Sequence, residues 1–171
     1  MLSGRLIRII AVCAVLAGFT VARLPVWRSD ITLWSDAAAK APTKVRTHIN
    51  IGRQWDVAGE LGLAEREYRA AVTMSFNPRY PEHRALEARC AAETNLAHLL
   101  MKRGDLASAM RLLDSVLAAW PSYPYAHFNR GFILRAAGAC DLARLEFYQA
   151  VTPPYGDPAL TLPSPLCLAN P

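Results

Sequence analysis

Three asparagines each stand nine residues before a glycine: Asn50 before Gly59, Asn95 before Gly104, and Asn129 before Gly138. An asparagine side chain offers both a donor and an acceptor, so a row of them suits the clamping of successive peptide units in an extended chain. Such a row reads main chain and tolerates many side chains. Asparagine also bonds one helix to its neighbour, and the sequence leaves both roles open. Arg46, Arg53, His98, Lys102, Tyr125, Phe132 and Arg135 fall at neighbouring helical offsets. Their mostly positive charge implies either a solvated face or a partner segment that is acidic or ends in a carboxylate.

Catalysis has little support. The histidines His48, His83, His98 and His127 are scattered, and no Ser/His/Asp or Cys/His grouping has a supporting spacing. His48 and His127 each sit two residues before an asparagine of the row and read as packing residues. The four cysteines, Cys13, Cys90, Cys140 and Cys167, form no CxxC and have no histidine at zinc-finger distance. No metal site and no cofactor are therefore expected, and the chain reads as a binding protein rather than an enzyme.

The elements that carry these residues repeat. Aligned on their glycines, the three segments read Gly52, Trp55, Gly59, Ala64, Tyr68, Ala71; then Ala97, Leu100, Gly104, Ala109, Leu113, Val116; then Gly131, Leu134, Gly138, Ala143, Phe147, Ala150. Apolar residues keep helical spacing on both sides of each glycine, as two helices joined by a tight turn would require. Glycine suits the end of a first helix, where the backbone takes positive φ. The small residues Gly52, Ala97 and Gly131 let two helices approach closely, and Tyr68, Leu113 and Phe147 read as wedges between neighbouring units. Gly104 and Gly138 are 34 residues apart, whereas Gly59 and Gly104 are 45 apart. The surplus of eleven residues, near Arg79 to Arg89, is expected to lengthen a helix or form a small excursion.

These offsets resemble those of the tetratricopeptide-repeat (TPR) family, whose helix-turn-helix unit recurs every 34 residues. The resemblance implies an all-α solenoid of stacked helical hairpins in a right-handed superhelix, with ligand meeting the concave wall of first helices. The expected organisation is an N-terminal segment over 1–28, a half-unit over 29–42, units over about 45–78, 90–123 and 124–152, and a proline-rich tail over 153–171. The half-unit is a single helix capped by Ser29-Asp30 and ended by Pro42. It would lead straight from the N-terminal segment into the array. The stretch LWSDAAAKAPTKVRTHINIG resembles the junction between the last membrane helix and the TPR region of transmembrane-and-TPR proteins of the O-mannosyltransferase type. The chain carries neither their many membrane helices nor an acidic catalytic loop. That likeness thus implies an independent scaffold module, or an accessory subunit of a membrane glycosyltransferase, and argues against transferase activity.

The run Ile9 to Ala22 carries no charge and lies between Arg5 and Arg8 on one side and Arg23 and Arg28 on the other. Extended from Leu6 to Trp27, it would span a bilayer if Arg8 and Arg23 snorkel. A cleaved signal peptide is the rival reading, although Thr20-Val21-Ala22 is a poor cleavage site. A short N-terminal tail is easiest to leave in the cytoplasm, so the repeats are expected to be extracytoplasmic (periplasmic) on a single-pass anchor. The chain is 53% hydrophobic and 19% charged, with a net charge of +5. That composition fits a globular domain with an added apolar segment. The cations form no block of five or six, so nucleic acid is not an expected partner.

The tail is proline-rich and cannot continue a helix. Leu160, Leu162, Leu166 and Leu168 are placed to lie back over the last apolar face. A Cys140–Cys167 disulfide would pin them in an oxidising compartment. Cys90 is expected to begin a first helix, roughly 20 Å away by helical rise, too far to pair with Cys140.

Overall fold

The computed structural model describes residues 4–75, 82–154 and 156–163. Among these residues the regular structure is entirely helical. α1 spans Gly4–Arg23 and runs into a 3-10 turn at Leu24–Trp27. α2 (Asp30–Lys40), α3 (Val45–Val57), α4 (Leu61–Ser75), α5 (Glu82–Lys102), α6 (Leu106–Ala119), α7 (Pro124–Ala136) and α8 (Cys140–Val151) follow.

The boundaries have local causes. Ser29 caps α2 by accepting from the Thr32 amide at 3.3 Å, while the Thr32 hydroxyl accepts from the Ser29 amide at 3.2 Å. This is a reciprocal cap that satisfies two otherwise orphaned donors. Asp105 caps α6 through the Ser108 amide at 3.0 Å. Proline supplies the first residue of α7, where a missing N–H costs nothing. The first helices α3, α5 and α7 end at Gly59, Gly104 and Gly138, with φ of 81°, 82° and 76°. Behind each glycine the next amide reaches back to a carbonyl five residues earlier, as in Glu60 to Trp55 at 2.9 Å, which closes the helix end.

Each helix packs on its neighbours in sequence, and the first helices also touch one another, α3 on α5 and α5 on α7. Hairpins α3–α4, α5–α6 and α7–α8 therefore stack in order behind α2. One core cluster joins Ala64, Tyr68, Cys90, Leu96, Leu99, Leu113, Val116 and Ile133 across the hairpins. Val45, Ala71 and Ala92 form a second.

Three details refine the sequence expectation. The aromatic residues pack within their own hairpins, and Tyr68 also belongs to the core cluster that runs across the hairpins. A Cβ on Gly52 would lie 2.6 Å from the Tyr68 ring, and one on Gly131 would lie 2.6 Å from the Phe147 ring. Each ring thus fills the space left by the glycine of its own hairpin. Secondly, the surplus residues lengthen α5 upstream to Glu82, so Cys90 does not begin that helix but lies inside it, fully buried. Thirdly, the tail turns back early: the Asp157 amide donates to the Ala150 carbonyl at 2.7 Å, and Leu160 and Leu162 are half-buried. Leu166, Cys167 and Leu168 lie outside the described residues. Cys13 and Cys90 are free thiols, whereas Cys140 has a bonding partner.

The N-terminal helix stands apart. Together with the 3-10 turn it gives 24 residues, within which an 18-residue stretch has a mean hydropathy of 2.2 and nothing buried. It is long and apolar enough to cross a membrane, a property that signal sequences share. Its C-terminal Arg23 makes two hydrogen bonds to Asp36 of α2, at 2.8 and 3.0 Å, and Lys40 adds a third at 2.7 Å. The Arg23 bonds, then that of Lys40, hold the Asp36 carboxyl well below the usual carboxylate range.

Candidate functional site

The first helices α3, α5 and α7 lie side by side, and they carry Arg46, Asn50 and Arg53 on α3, Asn95, His98 and Lys102 on α5, and Tyr125, Asn129 and Arg135 on α7. Their environments differ sharply. Asn50 is half-buried and lines a cleft. The Asn95 amide donates to the Ala91 carbonyl of its own helix at 2.8 Å. Asn129 is only 8% exposed. The three amides therefore do not form a uniform open row: one faces a cleft, one is engaged, and one is packed away.

The cations divide in the same way. Arg46, Arg53 and His98 are exposed. Lys102 instead ion-pairs with Asp56 at the end of α3, joining the first and second hairpins. Arg135 stacks over the Phe132 ring at 5.0 Å. The Tyr125 hydroxyl donates to Asp157 of the returning tail at 2.7 Å. That hydrogen bond raises the Tyr125 phenol above its ordinary value and lowers Asp157.

The cleft beside Asn50 has a volume of about 710 Å³. Trp34 of α2 forms one side, Val45, Arg46, Ile49 and Asn50 of α3 the floor, and Arg84, Glu87, Ala88 and Ala91 of α5 the other side. Its second wall is thus partly the extra length of α5. The sequence reading found Arg46 and Asn50 through the repeat register. It missed Trp34, which belongs to the single helix α2 before the repeats, and Arg84 and Glu87, because the lengthened turns of α5 have no counterpart in the other units.

A second pattern was legible but overlooked. His48 bonds Glu67 through Nδ1 at 2.8 Å and the Pro42 carbonyl through Nε2 at 3.0 Å. His127 bonds Glu146 and the Pro121 carbonyl, both at 2.8 Å. The partners stand at the same offsets, six residues before and nineteen after the histidine. Each histidine thus ties the turn before its hairpin to the second helix. At His127 both partners are acceptors, an arrangement that a protonated ring satisfies with both nitrogens donating. Burial alone would lower the His127 value. The Glu146 hydrogen bond, the Pro121 carbonyl and the Glu146 charge outweigh burial and the nearby Arg130, and the net direction is upward. Arg130 also bonds Glu146 at 2.7 Å.

Stacked two-helix hairpins with glycine-terminated first helices define the TPR helical-hairpin solenoid. Residues 94–157, from the middle of α5 to beyond α8, match the family model described as Tetratricopeptide repeat. No curated protein matches the chain. Tetratricopeptide repeats are, as a class, protein-interaction modules that present an extended concave surface.

Proposed function

We propose that this chain is a membrane-tethered interaction scaffold that holds a polypeptide partner against the wall of α3, α5 and α7, within an envelope-associated assembly. The observation that carries the reading is the side-by-side placement of the first helices. Arg46, Asn50 and Arg53 share one face of α3 by their helical spacing, and exposed His98 lies on the adjacent α5. Predominantly positive groups beside a main-chain-reading amide suit an extended segment with acidic character. In this reading α1 stays in the bilayer and the repeats lie on its extracytoplasmic side. Cys140 pairs with Cys167 in that oxidising compartment.

The test places a photo-crosslinking residue at Arg53 or at His98 in the full chain, in intact membranes, with Arg144 on α8 as the control position. Mass spectrometry should recover the same adduct from both wall positions and not from Arg144. Arg53→Glu in the untagged wall should lower the adduct yield several-fold. Equal labelling at all three positions would end the reading. Lys102→Glu is a poor substitute, because it also breaks the contact with Asp56. The junction stretch alone favours an accessory subunit of a membrane glycosyltransferase. That version predicts a polytopic enzyme in the crosslinked eluate.

A further inference from the structure

Several cations of the repeats are committed to carboxylates within the chain. Lys102 pairs with Asp56, Arg69 and Arg103 with Glu65, and Arg130 with Asp114 and Glu146. Arg46 and Arg84 are not. Among the described residues neither has a carboxylate partner, both are exposed, and both rim the cleft of about 710 Å³. They come from two different helices, Arg46 from α3 and Arg84 from the lengthened start of α5.

Between them lie groups with complementary tasks. Trp34, Val45, Ile49, Ala88 and Ala91 give the cleft apolar walls. Asn50, which makes no hydrogen bond among the described residues, offers both a donor and an acceptor, and Glu87 offers acceptors alone. A cavity of this size is in the range that encloses a ligand of several residues' bulk.

We infer that this cleft seats an internal, extended segment of the partner, with one acidic side chain between Arg46 and Arg84 and an adjacent apolar side chain against Trp34 and Ile49. The inference rests on the scaffold reading and gives it a partner chemistry. Two guanidinium groups against one cleft glutamate leave an excess of one positive charge, which a single Asp or Glu balances. Guanidinium forks grip carboxylates through paired, charge-assisted hydrogen bonds. Asn50 and Glu87 then serve the carbonyls and amides of a main chain that continues past the acid. The surplus turns of α5 have a role in this account: without them Arg84 and one wall would be missing, and the gap above α3 would be open.

The experiment uses the full chain in detergent micelles, immobilised and panned against random dodecapeptides displayed on phage with their C-termini joined to the coat protein. A parallel library displays free C-termini. Enriched internal peptides should carry one Asp or Glu beside a large apolar residue. Their retention should fall roughly tenfold with Arg46→Glu and again with Arg84→Glu, the scale expected for losing one charge-assisted contact. It should be unchanged with Arg144→Glu. The variants' helical circular dichroism and unfolding midpoints establish that they fold, and Arg46→Gln with Arg84→Gln provides milder counterparts. Failure of enrichment, enrichment without an acidic preference, or retention indifferent to both arginines overturns the inference. Enrichment confined to free C-termini replaces the internal segment with a terminal one and overturns it too. Displacement of the peptides by phosphatidylglycerol vesicles would assign the cleft to a lipid phosphate instead. If crosslinking from Arg53 and His98 still captures the partner when these peptides fail, the cleft assignment falls and the scaffold stands. Loss of both removes both.

Discussion

The outer hairpins and the middle hairpin reach the same close packing with different residues. In α3–α4 and α7–α8 a ring lies flat against a glycine, Tyr68 on Gly52 and Phe147 on Gly131. In α5–α6 the equivalent positions hold Leu113 and Ala97, both fully buried. A ring on the second helix is thus matched by glycine on the first, and the smaller leucine by the larger alanine, so the summed volume is kept, as dense cores require. The polar ties do not follow this exchange. Where the outer hairpins have His48 and His127, the middle one has Glu93, with Leu112 at the carboxylate position and Glu87 at the proline position. The cause is the length of α5. In the outer hairpins the histidine bonds the carbonyl of a turn residue, but residue 87 lies inside a helix whose carbonyls are committed to its own ladder. With no turn to hold, a histidine there would have nothing to tie.

The largest break in this comparison is Phe147→Ala, which empties a fully buried ring site and should cost about 3–5 kcal/mol. Chemical denaturation of the micelle-bound chain reads it. A loss below about 1 kcal/mol would mean that the ring is not what fills the hairpin. Gly131→Ala comes next. The new methyl meets the Phe147 ring and should cost about 1–3 kcal/mol. Adding Phe147→Leu recreates the middle pair and should recover most of that loss. Simple additivity of the two substitutions would contradict the volume exchange.

His127→Gln should be a smaller perturbation, about 1–2 kcal/mol at pH 6. Because the folded His127 value is raised, its contribution is complete below the ordinary histidine value near 6.5 and disappears as pH rises through the folded value. Glu146 and Arg130 face the ring and set that balance. The gap in unfolding midpoint between wild type and variant should therefore narrow from pH 6 to pH 9. A constant gap would show a packing role without charge. The smallest effect belongs to the middle hairpin. Burial raises the Glu93 carboxyl, against the lowering influence of Arg89 and Ser115. Glu93→Gln should gain about 0.5–1 kcal/mol at pH 7, and the gain should vanish below the ordinary glutamate range. Destabilisation at both pH values would show that the charge is needed for packing.

The glycine register made much of this legible before any coordinates. It located the ends of the first helices, the close-contact positions and the cap at Ser29, because those depend on local backbone and on periodicity. It marked Tyr68 and Phe147 as bulky contact residues without showing that each also fills the space beside a glycine of its own hairpin, since spacing does not tell which neighbours a large side chain meets. It put Asn50, Asn95 and Asn129 in one row because they share a register. The lengthened α5 and the burial around α7 gave each a different environment. The partners of Lys102 and Tyr125, Asp56 and Asp157, were illegible because they are distant in sequence and in no repeat register. Arg84 was illegible as a site residue for the converse reason: it belongs to turns that occur once.

The clasp of Arg23 on Asp36 has a consequence for how the molecule meets anything beside it. For a chain held in a bilayer by α1, a swivelling joint would let the repeats sweep every compass bearing around their stalk. Two parallel hydrogen bonds between the end of α1 and α2 remove that freedom. A neighbour diffusing in the same sheet of lipid would then be met at one azimuth and one height, and the search for its binding segment would be confined to a narrow arc.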